Sequence, residues 1–443
     1  MNQGTEQCPA PRNSAPRRQR LDTAAAIFYT SAAERIISII KNNFMILTMA
    51  SSDHQKPRPL LIMVAGAKGA VGSTLAAALA VLQQNPQSVR SNLTTGHMFA
   101  YLGPLQETYM AGWDTRTETL RACIQSHGIV PGRLVEPHAA ALDRMAVVAA
   151  PSSELTPDQT IDQLMQDIRH FRAQYPRARS VLIDLLPACA AVDLSDCEDI
   201  SRAFAKVDPV EFPDLAYTFA AILSGIPVVN FTPNAVEGAL IINAAVKQGV
   251  PIAGRDGKTG QTYLKVVLAS ALKARHLMVD GWYSLNILGN ADGINLMEPA
   301  RAAGKLRNKT ELLDEILGYS VGEKYGKPTH KVHIDYYPPR GDAKEAWDVI
   351  DFTGLFGLPM SMRLNFLGRD SILAAPLALD LARWAAVLHM AGRSGPVAEL
   401  GFYFKKPVGD APPLTFQDQV ASLQGLRRHC DEIIESPAWR DSV

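Results

Sequence analysis

Residues 59–84 read PLLIMVAGAKGAVGSTLAAALAVLQQ. A short apolar run, Pro59 to Ala65, meets Gly66 at once. The Ala/Leu-rich stretch after Gly72 favours helix. Strand, glycine turn and helix in that order open a Rossmann-type unit. Gly66, Gly69 and Gly72 stand where small residues let backbone amides approach a pyrophosphate at a helix N-terminus. The match to G-x-G-x-x-G is partial, because Lys68 sits where the middle glycine belongs. A tight turn without ligand is the competing reading. Further apolar runs follow near 145 (MAVVAAP), at 180–187 (SVLIDLLP) and at 226–231 (IPVVNF), with helical stretches between them. Continuous apolar strands suit a parallel sheet covered on both faces. The predicted fold is therefore α/β: a doubly wound parallel sheet of Rossmann type, with a further α+β domain inserted late in the chain. A ribose-binding carboxylate belongs about 20 residues past the glycines. Asp114, in MAGWDTR, has the right strand-end character but lies about twice as far on, which requires an insertion such as NLTTGHMFAYLGPLQ.

The totals exclude several classes. The 443 residues allow two or three domains, and 44 basic against 44 acidic residues give no field favouring nucleic acid or a membrane surface. The 5 cysteines are scattered with no CxxC pair, so neither a disulfide framework nor a zinc site is expected, and a reducing cytoplasm fits. No residue is assigned to a metal. His330 and His333 fall on opposite faces of a strand. No apolar run of membrane-spanning length is expected. Residues 1–58 form an N-terminal extension, basic and Pro-rich at first and read as disordered, with helix-forming potential over 23–50.

The pattern changes after Gly260. Leu264, Val267, Leu268, Ala271 and Leu272 would share one helical face. Two strands alternate with period two: Val332, Ile334 and Tyr336 on one, and Met360, Met362, Leu364 and Phe366 on the other. Alternation implies a sheet with one wet face or one face meeting another subunit. The expected division is 59–259 for the dinucleotide-binding domain, 260–368 for catalysis and oligomerisation, and 369–443 for a return to the first domain. Asp370 is read as the cap of a long helix.

Residues 254–262, GRDGKTGQT, contain Gly-Lys-Thr. A Walker loop would need glycine at Ile252, so that reading fails on spacing. What remains is a glycine-rich turn that places Thr259, Gly260, Gln261 and Thr262 at a helix start. Such a start binds anions or is simply capped.

Taken together, NFTPN (230–234), GRDGKTGQT, SLNILGNADG (284–293), GKLRNK (304–309), GDAK (341–344), RDSILAAP (369–376) and FYFKKP (402–407) resemble the inositol-3-phosphate synthase family, in its order and near its spacing. GWD at 112–114 matches as well. The resemblance implies NAD as cofactor and D-glucose 6-phosphate as substrate. It implies oxidation at C5, loss of a proton from C6, attack of C6 on the C1 aldehyde, and reduction of the inosose to 1D-myo-inositol 3-phosphate. The matched catalytic positions are Lys305, Lys309, Lys344 and Lys405. Lys305 and Lys309 share a face if their segment is helical, and their repulsion would be relieved by an anion between them. Matched substrate positions are Thr259, Gly260, Asn286, Asp292 and Asp370. Matched cofactor positions are Gly66, Gly69, Gly72, Ser73, Asp114, Asn230, Asp256, Asn290 and Asp342. Asp342 could also orient Lys344 or hold a proton. Relatives assemble as homotetramers through the sheet domain, and the same is expected here. No nucleic-acid or membrane partner is expected.

The sequence departs from the family at Ala70 and Val71, where asparagines are usual, and at Ile287 and Ala291. Thr259 replaces a serine but keeps the hydroxyl. VLIDLLPA lacks the family's polar run, which leaves Asp184 without a role. Two alternatives stay open: a cyclase of a different sugar phosphate, and a non-catalytic NAD-binding paralogue.

Overall fold

The computed structural model describes residues 57–197, 199–298 and 312–436. Its strands are β1 (Leu60–Ala65), β2 (Thr108–Asp114), β3 (Ala146–Ala149), β4 (Arg179–Asp184), β5 (Val228–Asn230), β6 (Pro251–Gly254), β7 (Met278–Leu288), β8 (His330–Tyr336), β9 (Ala343–Thr353), β10 (Pro359–Arg369) and β11 (Gly395–Pro396). The longer helices are α1 (Ala70–Leu82), α2 (Pro157–Gln174), α3 (Asp214–Leu223), α4 (Ala239–Gln248), α5 (Gln261–Ala274), α6 (Asp370–Met390) and α7 (Phe416–Ile434).

Seven strands form one sheet in the order β11-β6-β5-β4-β1-β2-β3, every pair parallel. This is the Rossmann order with β11 added beyond β6. All six residues of β1 are buried, as expected for a central strand covered on both faces. The winding reverses between β1 and β4, and a crevice opens at the carboxyl ends of the strands at such a point. The segment between α1 and β2 is held by α6. The Asp380 carboxylate accepts from the backbone N–H and hydroxyl of both Thr94 and Thr95 at 2.5–2.9 Å. Arg383 donates to the Thr95 hydroxyl at 3.0 Å and the Met98 carbonyl at 2.9 Å. The buried charges are thus satisfied locally.

The helix α6 corrects one expectation: it is long and apolar enough to span a bilayer by length, but 78% of its apolar window is buried in the fold. Its N-cap is Arg369 rather than Asp370, which lies in the first turn. The strands β6 and β11, of four and two residues, were too short to read from periodicity.

The remaining strands form a four-stranded sheet in the order β10-β9-β7-β8. The edge strand β8 alternates as expected, and β10 does so from Met362 to Phe366, whereas Met360 is exposed. The inner strands β7 and β9 were missed because they bury polar residues. The Asp348 carboxylate, on β9, accepts from Trp282 Nε1 at 2.7 Å, Ser284 Oγ at 2.5 Å and Gln261 Nε2 at 2.9 Å. The same network turns α5. Its buried face carries Gln261, Thr262, Lys265, Val266, Ala269, Ser270 and Leu272, whereas Leu264, Val267 and Leu268 are half-buried and Ala271 is exposed. Lys265 lies 2.7 Å from His330 Nε2 and 5.4 Å from the centre of the Trp282 ring. Polar partners inside the sheet outweigh the apolar stripe that periodicity suggests. The core of this layer joins Val266 and Ala269 to Trp282, Ile350 and Phe352.

Candidate active site

A cavity of about 570 Å³ lies at the carboxyl ends of the parallel strands. Its walls come from the turns after β1 (Gly69–Gly72), β4 (Leu185–Ala188), β5 (Phe231–Pro233) and β6 (Asp256, Gly257, Thr259). The second sheet closes it with Leu288, Gly289, Asn290, Ile334, Asp342 and Lys344, and α6 with Asp370 and Ser371.

The turn after β1 is shaped for close backbone approach. Gly66 has φ +81°, a conformation L side chains rarely adopt. A Cβ on Gly72 would lie 2.6 Å from the Gly66 carbonyl oxygen. The helix α1 starts at Gly69 with no side-chain cap. By contrast, α2 and α7 carry capping boxes, Thr156 with Gln159 and Thr415 with Asp418. The first-turn N–H groups of α1 are therefore left to whatever enters the cavity, and an N-terminus of this kind favours a phosphate. The loop fits the pyrophosphate of a dinucleotide. Lys68 instead ties the loop to the end of β2. Its N–H donates to Asp114 Oδ2 at 2.6 Å, and its ammonium donates to the Arg116 carbonyl at 2.7 Å. Asp114 Oδ1 accepts from the Arg116 N–H at 2.9 Å. Asp114 stands at the end of β2, but it is engaged with the loop and does not line the cavity.

Residues 254–258 pair with 403–408 through five backbone hydrogen bonds of 2.7–3.2 Å. The pairing delivers Asp256 and Lys405 to one point, where Lys405 Nζ lies 2.5 Å from Asp256 Oδ1. Both side chains are largely buried, at 4% and 11% exposure. Beside them, the Asp370 carboxylate accepts from Thr259 Oγ1 at 2.6 Å and pairs with Lys344 Nζ at 3.4 Å. Asp370 thus bridges the turn after β6 to β9 instead of capping its own helix. Asp342 Oδ1 accepts from Ser371 Oγ at 2.8 Å, and Oδ2 has no hydrogen-bond donor among the described residues. Burial, with Asp370 nearby, holds the Asp342 carboxyl above the usual range.

Of the residues singled out in the sequence, the cavity brings together Gly69, Gly72, Asp256, Thr259, Asn290, Asp342, Lys344, Asp370 and Lys405. Gly66, Ser73, Asp114, Asn230, Gly260 and Asn286 support it from outside the lining. Ser73 returns its hydroxyl to the Ala70 carbonyl at 3.2 Å. Asn286 is buried within β7 and donates to the His333 carbonyl at 3.4 Å. Lys305, Lys309 and the Asp292 side chain lie outside the described residues.

Sequence reasoning missed Arg116, Ser126 and His127, which line the cavity on the β2 side. No motif marks them. The Asp184 carboxyl, unexplained from sequence, is buried beneath the wall. Its Oδ1 accepts from the Leu186 N–H at 3.0 Å. Burial, and then Asp214 beside it, push Asp184 well above the usual carboxylate range. Asp214 in turn accepts from Asn234 Nδ2 at 2.7 Å, and Asn234 Nδ2 also reaches the Pro187 carbonyl at 2.9 Å. The Cys189 N–H donates to Asn234 Oδ1 at 2.8 Å. The acid pair therefore ties the turn after β4 to the turn after β5.

Residues 260–371 match the family model for myo-inositol-1-phosphate synthase. The chain is 40% identical over 259 residues to inositol-3-phosphate synthase 1 of Bacteroides thetaiotaomicron, covering 57% of this chain and 60% of that protein. It is 30% identical over 301 residues to inositol-3-phosphate synthase of Spirodela polyrhiza, covering 61% and 58%. These matches span less than two thirds of the length of the curated relatives. Among solved structures, inositol-3-phosphate synthase of Caenorhabditis elegans superposes with a TM-score of 0.72 at 20% identity, over 85% of this chain and 86% of that one. A myo-inositol-1-phosphate synthase-related protein of Thermotoga maritima gives 0.69 at 18% identity, over 84% and 98%. At these identities the two structures speak for the fold, and the sequence matches speak for the kinship. Over residues 260–371 and in its overall fold, the chain is similar to the inositol-3-phosphate synthases.

Proposed function

We propose that the chain converts D-glucose 6-phosphate to 1D-myo-inositol 3-phosphate in an NAD-dependent, redox-neutral cyclisation. The observation that carries the reading is the meeting of Asp256–Lys405 and Thr259–Asp370–Lys344 in one cavity with the uncapped start of α1. NAD, with its pyrophosphate at that helix start, would supply hydride removal and return at one sugar carbon.

The chain's own groups have the remaining work. Ring closure passes through an enolate and then a developing alkoxide, which need preorganised cations that also move protons. Lys344 and Lys405 are each held by one carboxylate, so both ammonium groups are fixed in place before substrate enters. Asp342, whose carboxyl burial raises above the usual range, can pass a proton at the carbon that loses one or at a hydroxyl. The described lining carries three cations, Arg116, Lys344 and Lys405, against three carboxylates, Asp256, Asp342 and Asp370. A phosphate dianion needs more positive charge than that balance offers. Lys305 and Lys309, which follow the cavity residues Asn295 and Leu296 in the chain, are the groups we assign to it. The open face of the four-stranded sheet, with Tyr283, Trp347 and Leu367 exposed, is the surface we assign to a homotetramer.

The test is incubation of the purified protein with NAD⁺ and glucose 6-phosphate. Inositol phosphate formed without net NADH is expected, with kcat lowered at least about a hundredfold in Lys344→Met and Lys405→Met, as for loss of an oxyanion donor. Steady NADH release would mean a net dehydrogenase. Product from another hexose phosphate alone would mean a different cyclase. No product from any of them would leave a non-catalytic paralogue.

A further inference from the structure

A second cavity, of about 380 Å³, lies at the opposite end of the parallel sheet. It is lined by Gln83, Gln106, Tyr109, Met110, Ala141, Arg144, Met145 and Tyr175. Its position follows from the elements that reach it. Gln83 is the C-cap of α1, Tyr175 is the C-cap of α2, and Arg144 ends the short helix Ala139–Asp143. Tyr109 is the second residue of β2, and Gln106 lies in the turn just before it.

The lining combines three kinds of group. Tyr109 and Tyr175 are stacked, with ring centroids 4.5 Å apart and planes 21° from parallel, and Met110 and Met145 continue an apolar wall. Tyrosine–aromatic stacking of a flat ring is favoured there. Gln106 Oε1 is buried and has no hydrogen-bond donor among the described residues. A buried carbonyl oxygen without a donor is costly, so it selects a partner bearing N–H. Arg144 is exposed at the rim, and among the described residues its guanidinium makes one long contact, 3.5 Å, to Gln83 Oε1. It is available to an anion from solvent.

We propose that this cavity is a binding site for a purine nucleoside monophosphate, distinct from the cleft that holds the dinucleotide. The flat base packs on the tyrosine wall, its amino or ring N–H supplies the donor that Gln106 lacks, and its phosphate meets Arg144. A neutral aromatic would leave Arg144 unused, and an aliphatic anion would leave the tyrosine wall unused. The site touches the far ends of α1 and β2, the two elements that present Gly69 and Asp114 at their other ends.

Titration calorimetry with AMP, in the presence of saturating NAD⁺ so that the cleft is occupied, tests this directly. One AMP bound per chain is expected. Arg144→Gln should weaken AMP about tenfold, the loss of one charge-assisted hydrogen bond, and leave adenosine unchanged. Tyr175→Leu should weaken both. Arg144 is a surface residue, so its variant keeps the test open if Tyr175→Leu folds poorly. No AMP binding beside saturating NAD⁺, or AMP affinity unchanged in Arg144→Gln, would overturn the assignment.

Discussion

At the scale of single residues, charge burial sets the behaviour of the site. Lys258 lies two positions after Asp256, and its ammonium donates to the Gly401 carbonyl at 3.0 Å and Gln419 Oε1 at 2.7 Å. Burial, with some help from the Lys405 charge, pushes it down to about 7 from its ordinary 10.5. Between those values the unfolded chain binds more protons at this position than the folded one. The stability contributed by Lys258 therefore rises with pH across that window and is smallest below it. In urea unfolding of the parent and Lys258→Met, the parent should gain on the variant as pH rises from about 7 to 10. A constant gap between the two curves would contradict the burial argument. Single residues were also where the sequence was least legible. The glycines announced themselves by spacing, and Lys344 and Lys405 only by family resemblance. The Asp184–Asp214 pair did not, because a lone acid in an apolar strand carries no sign of the partner a fold will bring to it. Asp370 misled for a related reason. An acid before a helix reads as a cap, and only the tertiary structure shows it turned towards Thr259 and Lys344.

At the scale of elements, the unit from β1 to α1 was legible because its physics is local. A buried strand, a left-handed glycine and an uncapped helix are all written within a few residues. That unit also makes a sharp prediction. A methyl group on Gly72 would meet backbone atoms of Gly66 and Ala67 at 2.6–2.8 Å, which cannot rotate away. Gly72→Ala should lower stability by about 1–3 kcal/mol and weaken NAD⁺ binding, read by denaturant unfolding and by calorimetry. An unchanged affinity would mean that the dinucleotide does not sit at the start of α1. The inner strands β7 and β9 and the buried face of α5 were illegible for the opposite reason. Their inward positions include Gln261, Lys265, Ser284 and Asp348, and a hydrophobic pattern has no term for polar groups that satisfy one another.

At the scale of the whole molecule, two sheets divide the work. The parallel sheet presents turns at its carboxyl ends, and the smaller sheet brings Asp342 and Lys344 to face them. The outer face of the smaller sheet carries Tyr283, Trp347 and Leu367 exposed, and the tip between β9 and β10 exposes Leu355, Phe356 and Leu358. Apolar exposure of that kind is what the homotetramer proposed above would cover. Trp347→Glu combined with Leu367→Glu should shift the particle to a smaller mass in analytical ultracentrifugation, while an unaltered mass would place any assembly elsewhere. In the proposed reaction, one cavity removes a hydride from a sugar carbon and returns it to the same carbon around a ring closure. The most direct measurement uses glucose 6-phosphate deuterated at C5 with catalytic NAD⁺, followed by mass spectrometry of the product. Inositol phosphate that keeps the deuterium is expected, with none accumulating in free reduced coenzyme. Deuterium lost to water or collected in released NADH would contradict it.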